Sequence, residues 1–257
     1  VAKIVWPRLP WGADEKQNKA LAETPYYRDQ TYRYNCKRAG HGTNYGLQAR
    51  SMARNLHIPE RTAFRFQLLY FGGDIKYAQV MRWFETYPYE GFEDLLNDGE
   101  KVGTGPDAML RVRGAFPGIR RFHDETARLL AEFGELTTPL GFRRTFWGRP
   151  WDADTIRKGI AFRPQSTVSH ILVRGLQTVY EMEPDVQILV NGHDAILGQI
   201  PAGRVDELLP EIQRRMYIPV PINGRIMTIP TSAEVGYNWA DLVVIVVAAD
   251  DGIKPQT

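Results

Sequence analysis

The sequence predicts an α+β fold, with many helices in its first half and a small antiparallel sheet in its second half. Helix-compatible segments bounded by Pro and Gly fill residues 1–135. Short apolar segments on either side of turn residues dominate residues 136–240. The chain has 257 residues, of which 43% are hydrophobic and 24% charged. It can therefore bury a substantial core and does not have the composition of a disordered chain.

Helical segments separated by Pro and Gly account for most of the first half. Their predicted bounds are 1–6, a polar segment that ends before Pro25, 27–55, 58–71, 74–86 and 117–133. Residues 89–115 contain several Gly and acidic residues, which is typical of a loop or an insertion. We therefore expect no regular element there.

The second half contains two predicted hairpins and three predicted helices. One hairpin covers 136–146 with Pro139-Leu140-Gly141 at its turn, and the other covers 186–200 around Asn191-Gly192. The helices are predicted over 154–160, 166–181 and 204–216, and one or two strands over 218–229.

The composition excludes several classes of protein. The single cysteine, Cys36, cannot form an internal disulfide, and no Cys/His spacing typical of structural zinc is present. No segment reaches the ~20 apolar residues of a membrane span, and no apolar signal segment begins the chain. We therefore expect a soluble cytoplasmic protein without a membrane partner.

Cations are concentrated in two parts of the chain, although the net charge is only +2. Residues 28–65 contain eight basic and two acidic residues, and residues 111–174 contain twelve basic and six acidic residues. Clustered arginines suit a phosphate backbone. Charge counts alone are equally compatible with arginines scattered over solvated helix faces.

Arg33, Lys37, His41 and Tyr45 follow one another at intervals of four residues. On a helix this spacing drifts by only about 40° per step, so the four side chains share one face. A guanidinium, an ammonium and two rings in this order match a triphosphate, a sugar and a base. Spacing alone also permits a solvated basic helix with Tyr45 in the core.

Asp194 lies beside His193 in the second predicted hairpin. A carboxylate at the tip of an apolar hairpin is suited to ligate a hard cation such as Mg²⁺. Phosphoryl transfer with two metal ions normally needs two carboxylates. An ordinary Asn-Gly hairpin with polar turn residues remains an alternative.

Five ordered motifs over residues 1–240 together resemble family A DNA polymerases, the polymerase I type, and most of all their bacteriophage branch. Arg33, Lys37, Tyr45 and Gly46 match the fingers pattern Arg-x3-Lys-x7-Tyr-Gly, and His193-Asp194 matches the first two residues of the His-Asp-Glu palm motif. The other three are Thr138-Pro139-Leu140-Gly141-Phe142-Arg143-Arg144, which resembles Leu-Gly-Arg-Arg-Arg, the pair Arg157 and Gln165, and Gly236-Tyr237-Asn238-Trp239.

The resemblance implies a role for each matched residue. Arg33 and Lys37 would contact the phosphates of the deoxynucleotide, His41 and Tyr45 would lie at its sugar and base, and His193 would contact the primer end. Asp194 would ligate Mg²⁺. The residues implied to contact primer-template DNA are Arg143, Arg144, Arg157 and Gln165. The catalytic set would be Asp194, His193 and Lys37.

The resemblance also implies a division of the chain into fingers (1–135, with an insertion at 89–115), a C-terminal palm (136–240) and an atypical tail (241–257). Within this division the sequence departs from the family at three positions. His41 replaces Phe or Tyr, Ala195 replaces the second acidic residue, and Ala161 replaces an Asn. The family's Asp-x-Ser-x-x-Glu motif has no counterpart. We expect an upstream polymerase segment to supply it, with the second carboxylate of the two-metal site.

Residues 240–257 separately resemble a short piece of a translation initiation factor GTPase. The chain has no Gly-x4-Gly-Lys-Ser/Thr loop, so the tail is predicted to be a strand without nucleotide chemistry. The alternative is that the chain is a fusion or not a single natural reading frame.

The sequence therefore predicts a fragment of a DNA-directed DNA polymerase that acts in DNA replication on primer-template DNA and deoxynucleoside triphosphates. One alternative is a non-catalytic DNA-binding relic of a polymerase, since the first metal-binding motif is absent. Another is a metal-dependent phosphohydrolase at His193-Asp194, but no partner cluster of His or Asp accompanies it.

Overall fold

Helices and short antiparallel strands make up both halves of the computed structural model, which describes residues 1–27, 29–192, 195–236, 244–247 and 254–255. Every strand pair in the described residues is antiparallel, and this confirms the α+β prediction. The chain divides into two compact units, Val1–Arg128 and Leu129–Thr257. None of the described helices is long and apolar enough to cross a membrane.

The first unit is mostly helical. Its helices are α1 (Ala2–Val5), α2 (Glu15–Ala22), α3 (Tyr32–Asn44), α4 (Ala49–Leu56), α5 (Glu60–Phe71), α6 (Tyr77–Thr86), α7 (Glu93–Asp98) and α8 (Pro117–Phe133), the last of which continues past Arg128. Its strands are β1 (Pro25–Tyr27), β2 (Gln30–Thr31), β3 (Gly73–Lys76), β4 (Gly99–Val102) and β5 (Met109–Val112).

Two apolar clusters form the core of the first unit. The first joins the N-terminal helices and includes Val5, Ala39, Met52, Leu56 and Phe66. The second lies under the sheet formed by β3, β5 and β4, and includes Leu68, Ile75, Val80, Phe92 and Leu110. Helix α3 contributes Ala39 to the first cluster, so one of its faces is fixed by packing.

The prediction of a loop over 89–115 is wrong, because this segment contains α7, β4 and β5. Strand β5 pairs with both β3 and β4, and its Leu110 and Val112 are buried. The Gly and Asp residues that suggested a loop lie at the ends of these short elements, as turn residues commonly do. Strand β3 also occupies the first residues of the helix predicted over 74–86.

The second unit surrounds one long helix. Its elements are β6 (Glu135–Thr137), β7 (Arg143–Thr145), α9 (Ala153–Tyr180), β8 (Gln187–Gly192), β9 (Ala195–Gln199), α10 (Val205–Arg215), β10 (Val220–Ile222), β11 (Arg225–Thr228), β12 (Thr231–Ala233), β13 (Val244–Val247) and β14 (Lys254–Pro255). The sheets have the orders β12-β13-β9-β8, β10-β11-β14 and β6-β7. The main core contains Ile171, Leu172, Ile196, Ile212 and Met216.

Helix α9 replaces the two helices predicted over 154–160 and 166–181. Pro164 lies inside it and removes one main-chain donor, which normally favours a break. Phe162 and Thr167 on the two sides of Pro164 are both buried, and Pro164 itself is exposed. Packing of the residues on both sides of Pro164 therefore outweighs the free energy lost with the missing main-chain hydrogen bond.

The second predicted hairpin is present, but Asn191-Gly192 belongs to its first strand and does not form its turn. Asn191 pairs with Ile196 and Gly192 with Ala195. A bulge between Ile188 and Val190 shifts the register. This register buries Ile196, and burial of one face is what selects a register.

Candidate functional site

Helix α3 carries Arg33, Lys37 and His41, three of the four residues predicted to share one face, and Tyr45 follows the helix as its C-cap residue. The side chain of Thr31 caps the helix by accepting a hydrogen bond from the Tyr34 backbone N–H at 3.2 Å. The inward face consists of Asn35, Cys36, Ala39, Gly40 and Thr43, all buried. Lys37 and His41 are exposed, and Arg33 and Tyr45 are half-buried. The predicted shared face is therefore the side of α3 away from the core.

Gly46, which follows Tyr45, ends helix α3. Its φ is +79°, a backbone conformation that glycine adopts without strain. The Leu47 N–H donates to the Gly42 carbonyl at 2.7 Å, and the Gly46 N–H donates to the Thr43 carbonyl at 3.1 Å. This pair of bonds is a Schellman motif. The Tyr-Gly element of the motif thus has a structural role that does not depend on any ligand.

The C-terminal end of α3 is also held by side chains of α5 and α8. The Tyr70 hydroxyl donates to Asn44 Oδ1 at 2.9 Å, and His123 Nε2 lies 2.7 Å from the Asn44 carbonyl oxygen. Gln67 Nε2 donates to the Leu47 carbonyl at 2.6 Å. Burial raises the pKa of Tyr70, so its hydroxyl keeps the proton that it donates. His41 and Tyr45 therefore project from a firmly positioned helix end.

An open cleft of about 740 Å³ lies beside the first turns of α3, and Arg33 and Lys37 line it. Its other lining residues are Glu23, Asp29, Gln30, Thr31 and Tyr34. Arg33 Nη1 forms an ion pair with Glu23 Oε1 at 2.9 Å, and both side chains are more than one-third exposed. Gln30 Oε1 is buried without a hydrogen-bond partner among the described residues. The cleft is thus lined by two cations, Lys37 and Arg33, and the partner of Arg33 is the exposed carboxylate of Glu23.

His41 and Tyr45 lie further along α3 and do not line this cleft. Their rings are nearly parallel, with centroids 6.5 Å apart and planes inclined by 22°. Rings at this separation and inclination form an offset aromatic pair. The helix therefore presents cations at its start and flat rings at its end, in the order that the sequence predicts.

His193 and Asp194 of the predicted palm motif lie outside the described residues. The strands that they join are described, and β9 is hydrogen-bonded to β8 on one side and to β13 on the other. Strand β13 comes from the tail predicted to be atypical. No group of three or more His, Cys, Asp or Glu that could hold a metal occurs in the described part of the chain. The described residues do not form a Mg²⁺ site, and Asp194 stays a predicted ligand.

The residues predicted to contact primer-template DNA lie on the β6–β7 hairpin and on α9, all of them exposed. Arg143 Nη1 lies 3.5 Å from Glu135 Oε1, and Arg157 Nη2 lies 3.6 Å from Asp154 Oδ1. The Arg144 guanidinium carbon lies 5.0 Å from the centre of the Phe146 ring. Gln165 is one residue beyond Pro164. The three arginines are themselves exposed, so their charge is available at the surface; their contact with DNA stays a prediction.

Three residues of these surfaces were not expected from the sequence. One is Glu23, the ion-pair partner of Arg33, which lies ten positions before it, just after the end of α2. The others are the exposed Trp147 and Trp151. Two tryptophans within five residues, outside any apolar periodicity, are the signal that could have indicated them.

Comparison with known proteins gives structural likenesses but no sequence match. No protein-family model matches the chain, and no curated protein matches it. A solved structure of the POL domain of Pol1 from M. smegmatis, in complex with DNA primer-template and dNTP, matches with a TM-score of 0.47 and 18% identity. The match covers 74% of this chain and 28% of that chain. No match supports the predicted GTPase resemblance of residues 240–257.

Proposed function

We propose that this chain is part of a DNA-directed DNA polymerase that adds deoxynucleotides to a primer 3′ end under the direction of a template. The observation that carries the proposal is the outward face of α3. Arg33, Lys37, His41 and Tyr45 follow one another there in the order in which they would contact the phosphates, the sugar and the base of a deoxynucleotide. The five ordered sequence motifs support the same function. Fingers over 1–135 and palm over 136–240 are the corresponding subdomains.

Arg33 and Lys37 hold the triphosphate in this proposal. The primer 3′-oxygen forms a bond to the α-phosphorus, the bond from that phosphorus to the bridging oxygen breaks, and pyrophosphate leaves. Negative charge grows on the leaving phosphates, and two fixed cations stabilise it. Glu23 forms an ion pair with Arg33 when no triphosphate is bound. A triphosphate displaces Glu23 from Arg33, because the triphosphate carries more negative charge than one carboxylate.

The base and the duplex contact other residues. The parallel rings of His41 and Tyr45 offer flat surfaces to the nascent base pair. Arg143, Arg144 and Arg157 bind phosphates of the primer-template, where contacts position the duplex and do not specify its sequence. Asp194 is the proposed metal ligand, and we assign no step to a metal because no site for one is formed by the described residues.

Nucleotide binding by the chain tests the α3 assignment. Arg33→Ala and Lys37→Ala should each weaken deoxynucleotide binding by about 10- to 100-fold, because a charge-assisted hydrogen bond to phosphate contributes about 1.5–3 kcal/mol. Primer-template affinity should stay within about twofold of the unchanged protein. The matched control is Arg82→Ala, an exposed cation on α6 in the same unit. A larger effect on DNA than on nucleotide would overturn the assignment.

Templated primer extension tests the catalytic assignment. The assay uses Mg²⁺ and the chain joined to an upstream segment that supplies the Asp-x-Ser-x-x-Glu motif. Asp194→Ala should abolish extension while DNA binding persists. Undiminished extension by this variant would show that Asp194 is not the metal ligand.

A non-catalytic DNA-binding protein is the second candidate. Ala195 at the position of the second acidic palm residue favours it. This candidate predicts tight, salt-sensitive DNA binding without incorporation even when the upstream segment is supplied. Any template-dependent incorporation excludes it.

A further inference from the structure

The loop between β7 and α9 exposes two tryptophans. Trp147 is 95% exposed and Trp151 is 75% exposed. Phe142 in the preceding turn is 50% exposed. Large aromatic side chains usually contribute buried area to a core, whereas here three of them, within ten residues of sequence, face solvent. This surface, formed by Phe142, Trp147 and Trp151, is called the indole surface below.

The loop that carries both tryptophans is tightly held. A Cβ on Gly148 would lie 2.1 Å from Thr155 Oγ1, so the loop backbone touches the first turn of α9. The Asp152 N–H donates to the Arg149 carbonyl at 3.0 Å, and the Asp152 side chain accepts from the N–H groups of Asp154 and Thr155. The Phe146 N–H donates to the Gly134 carbonyl at 2.8 Å. Exposed rings on a fixed loop are preorganised for binding.

The segment that carries the indole surface is basic. Residues 143–158 contain five basic and two acidic residues. Both carboxylates already have local partners, since Asp152 caps α9 and Asp154 forms a 2.6 Å ion pair with Lys158. The hydrogen bond from Lys158 lowers the pKa of Asp154, so this carboxylate remains ionised and paired. The segment therefore carries a net positive charge, which favours an anionic partner.

We infer that the indole surface binds single-stranded DNA by stacking unpaired bases on Trp147 and Trp151 while the neighbouring cations contact its phosphates. Aromatic rings and cations on one surface are the combination that binds single strands without sequence preference. A double helix keeps its bases stacked within itself, so it offers the cations its phosphates and offers the indoles no free base face. The occupant that matches both parts is a single strand. This inference goes beyond the proposed function, because it requires neither nucleotide binding nor synthesis.

Fluorescence anisotropy with a labelled oligothymidylate of about 16 nucleotides tests the inference. Trp147→Ala and Trp151→Ala should each weaken binding by about 5- to 150-fold, the fold-change that corresponds to one lost base–ring stack. Binding of a duplex of the same length should change by less than about twofold. Tyr89→Ala is the matched control, because Tyr89 is 82% exposed but lies far along the chain in the first unit, and it should not alter either affinity.

Quenching of indole fluorescence provides a second readout that does not depend on the alanine variants. The oligothymidylate should quench the unchanged protein, and the double variant Trp147→Phe, Trp151→Phe should lose that quenching although four other tryptophans remain. Absence of single-strand binding by the chain would overturn the inference. An equal loss of single-strand and duplex affinity in the alanine variants would also overturn it, since it would indicate a purely structural or electrostatic role. Either outcome leaves the test of α3 unaffected.

Discussion

The most consequential single side chain of the first unit is Arg65, which no motif indicated. Its side chain is fully buried, and its guanidinium donates to the Gly91 carbonyl at 2.7 Å, the Ile4 carbonyl at 2.7 Å and Asp94 Oδ2 at 3.0 Å. Burial lowers the pKa of Arg65 and Asp94 opposes this effect. One side chain thus connects α1, α5 and the start of α7, which are far apart in the sequence.

Arg65→Met should destabilise the protein by about 3–5 kcal/mol, because the change leaves buried acceptors and a carboxylate without their donor. Urea unfolding followed by circular dichroism measures the difference. Arg82→Met on the exposed side of α6 serves as the control and should change stability by less than about 0.5 kcal/mol. A loss below about 1 kcal/mol for Arg65→Met would show that other contacts hold these elements.

At the scale of elements, the end of α3 depends on one backbone conformation. Gly46→Ala places a side chain at φ +79° and should cost about 1–2 kcal/mol in unfolding experiments. Gly118→Ala, in the first turn of α8 where φ is not positive, should be neutral or should stabilise by up to about 1 kcal/mol. Equal effects of the two substitutions would mean that the Schellman motif does not limit the stability of the helix end.

Helix α10 carries a network of ion pairs that makes stability depend on pH. Hydrogen bonds from Arg214 and then from Arg215 lower the pKa of Glu211 from 4.5 to about 2. Because the folded pKa lies below the unfolded one, the stabilisation is present above pH 4.5 and is lost as the pH falls towards 2.

Glu211→Gln should therefore lower the thermal midpoint at about pH 7, and the gap to the unchanged protein should narrow at about pH 3. Glu85→Gln, on an exposed position of α6, should show no such gap at either pH. A gap for Glu211→Gln that stays constant with pH would indicate lost packing and not a lost ionic interaction.

Across the whole molecule, exposed arginines with long ion pairs are expected to determine DNA binding. Duplex affinity should fall steeply with salt, because each phosphate contact releases counterions. Arg143→Ala and Arg157→Ala should each reduce the salt slope by about 1, because their ion pairs are 3.5 and 3.6 Å long. Arg214→Ala should leave the slope unchanged, because Arg214 is held by two hydrogen bonds of 2.7 Å to Glu211. An equal effect of Arg214→Ala on the salt slope would show that DNA binding is determined by the net charge of the protein and not by a particular surface.

The sequence predicted those elements whose limits are set locally. Helix α8 begins at Pro117, and the Thr138–Gly141 turn of the first hairpin has its Gly141 N–H bonded to the Thr138 carbonyl at 2.9 Å. Elements determined by distant partners were missed. Strand β5 needs β3 and β4 on either side of it, and α9 continues through Pro164 because residues on both sides of the proline are buried.

The same distinction applies to the candidate site. Helical periodicity by itself determined that Arg33, Lys37, His41 and Tyr45 share one face, because that is a property of the backbone repeat. Only the tertiary structure decided that this face points away from the core, that Glu23 pairs with Arg33, and that Trp147 and Trp151 are exposed. Burial and ion pairing depend on contacts between segments that are far apart in the sequence, and such contacts cannot be predicted from the residues of one segment alone.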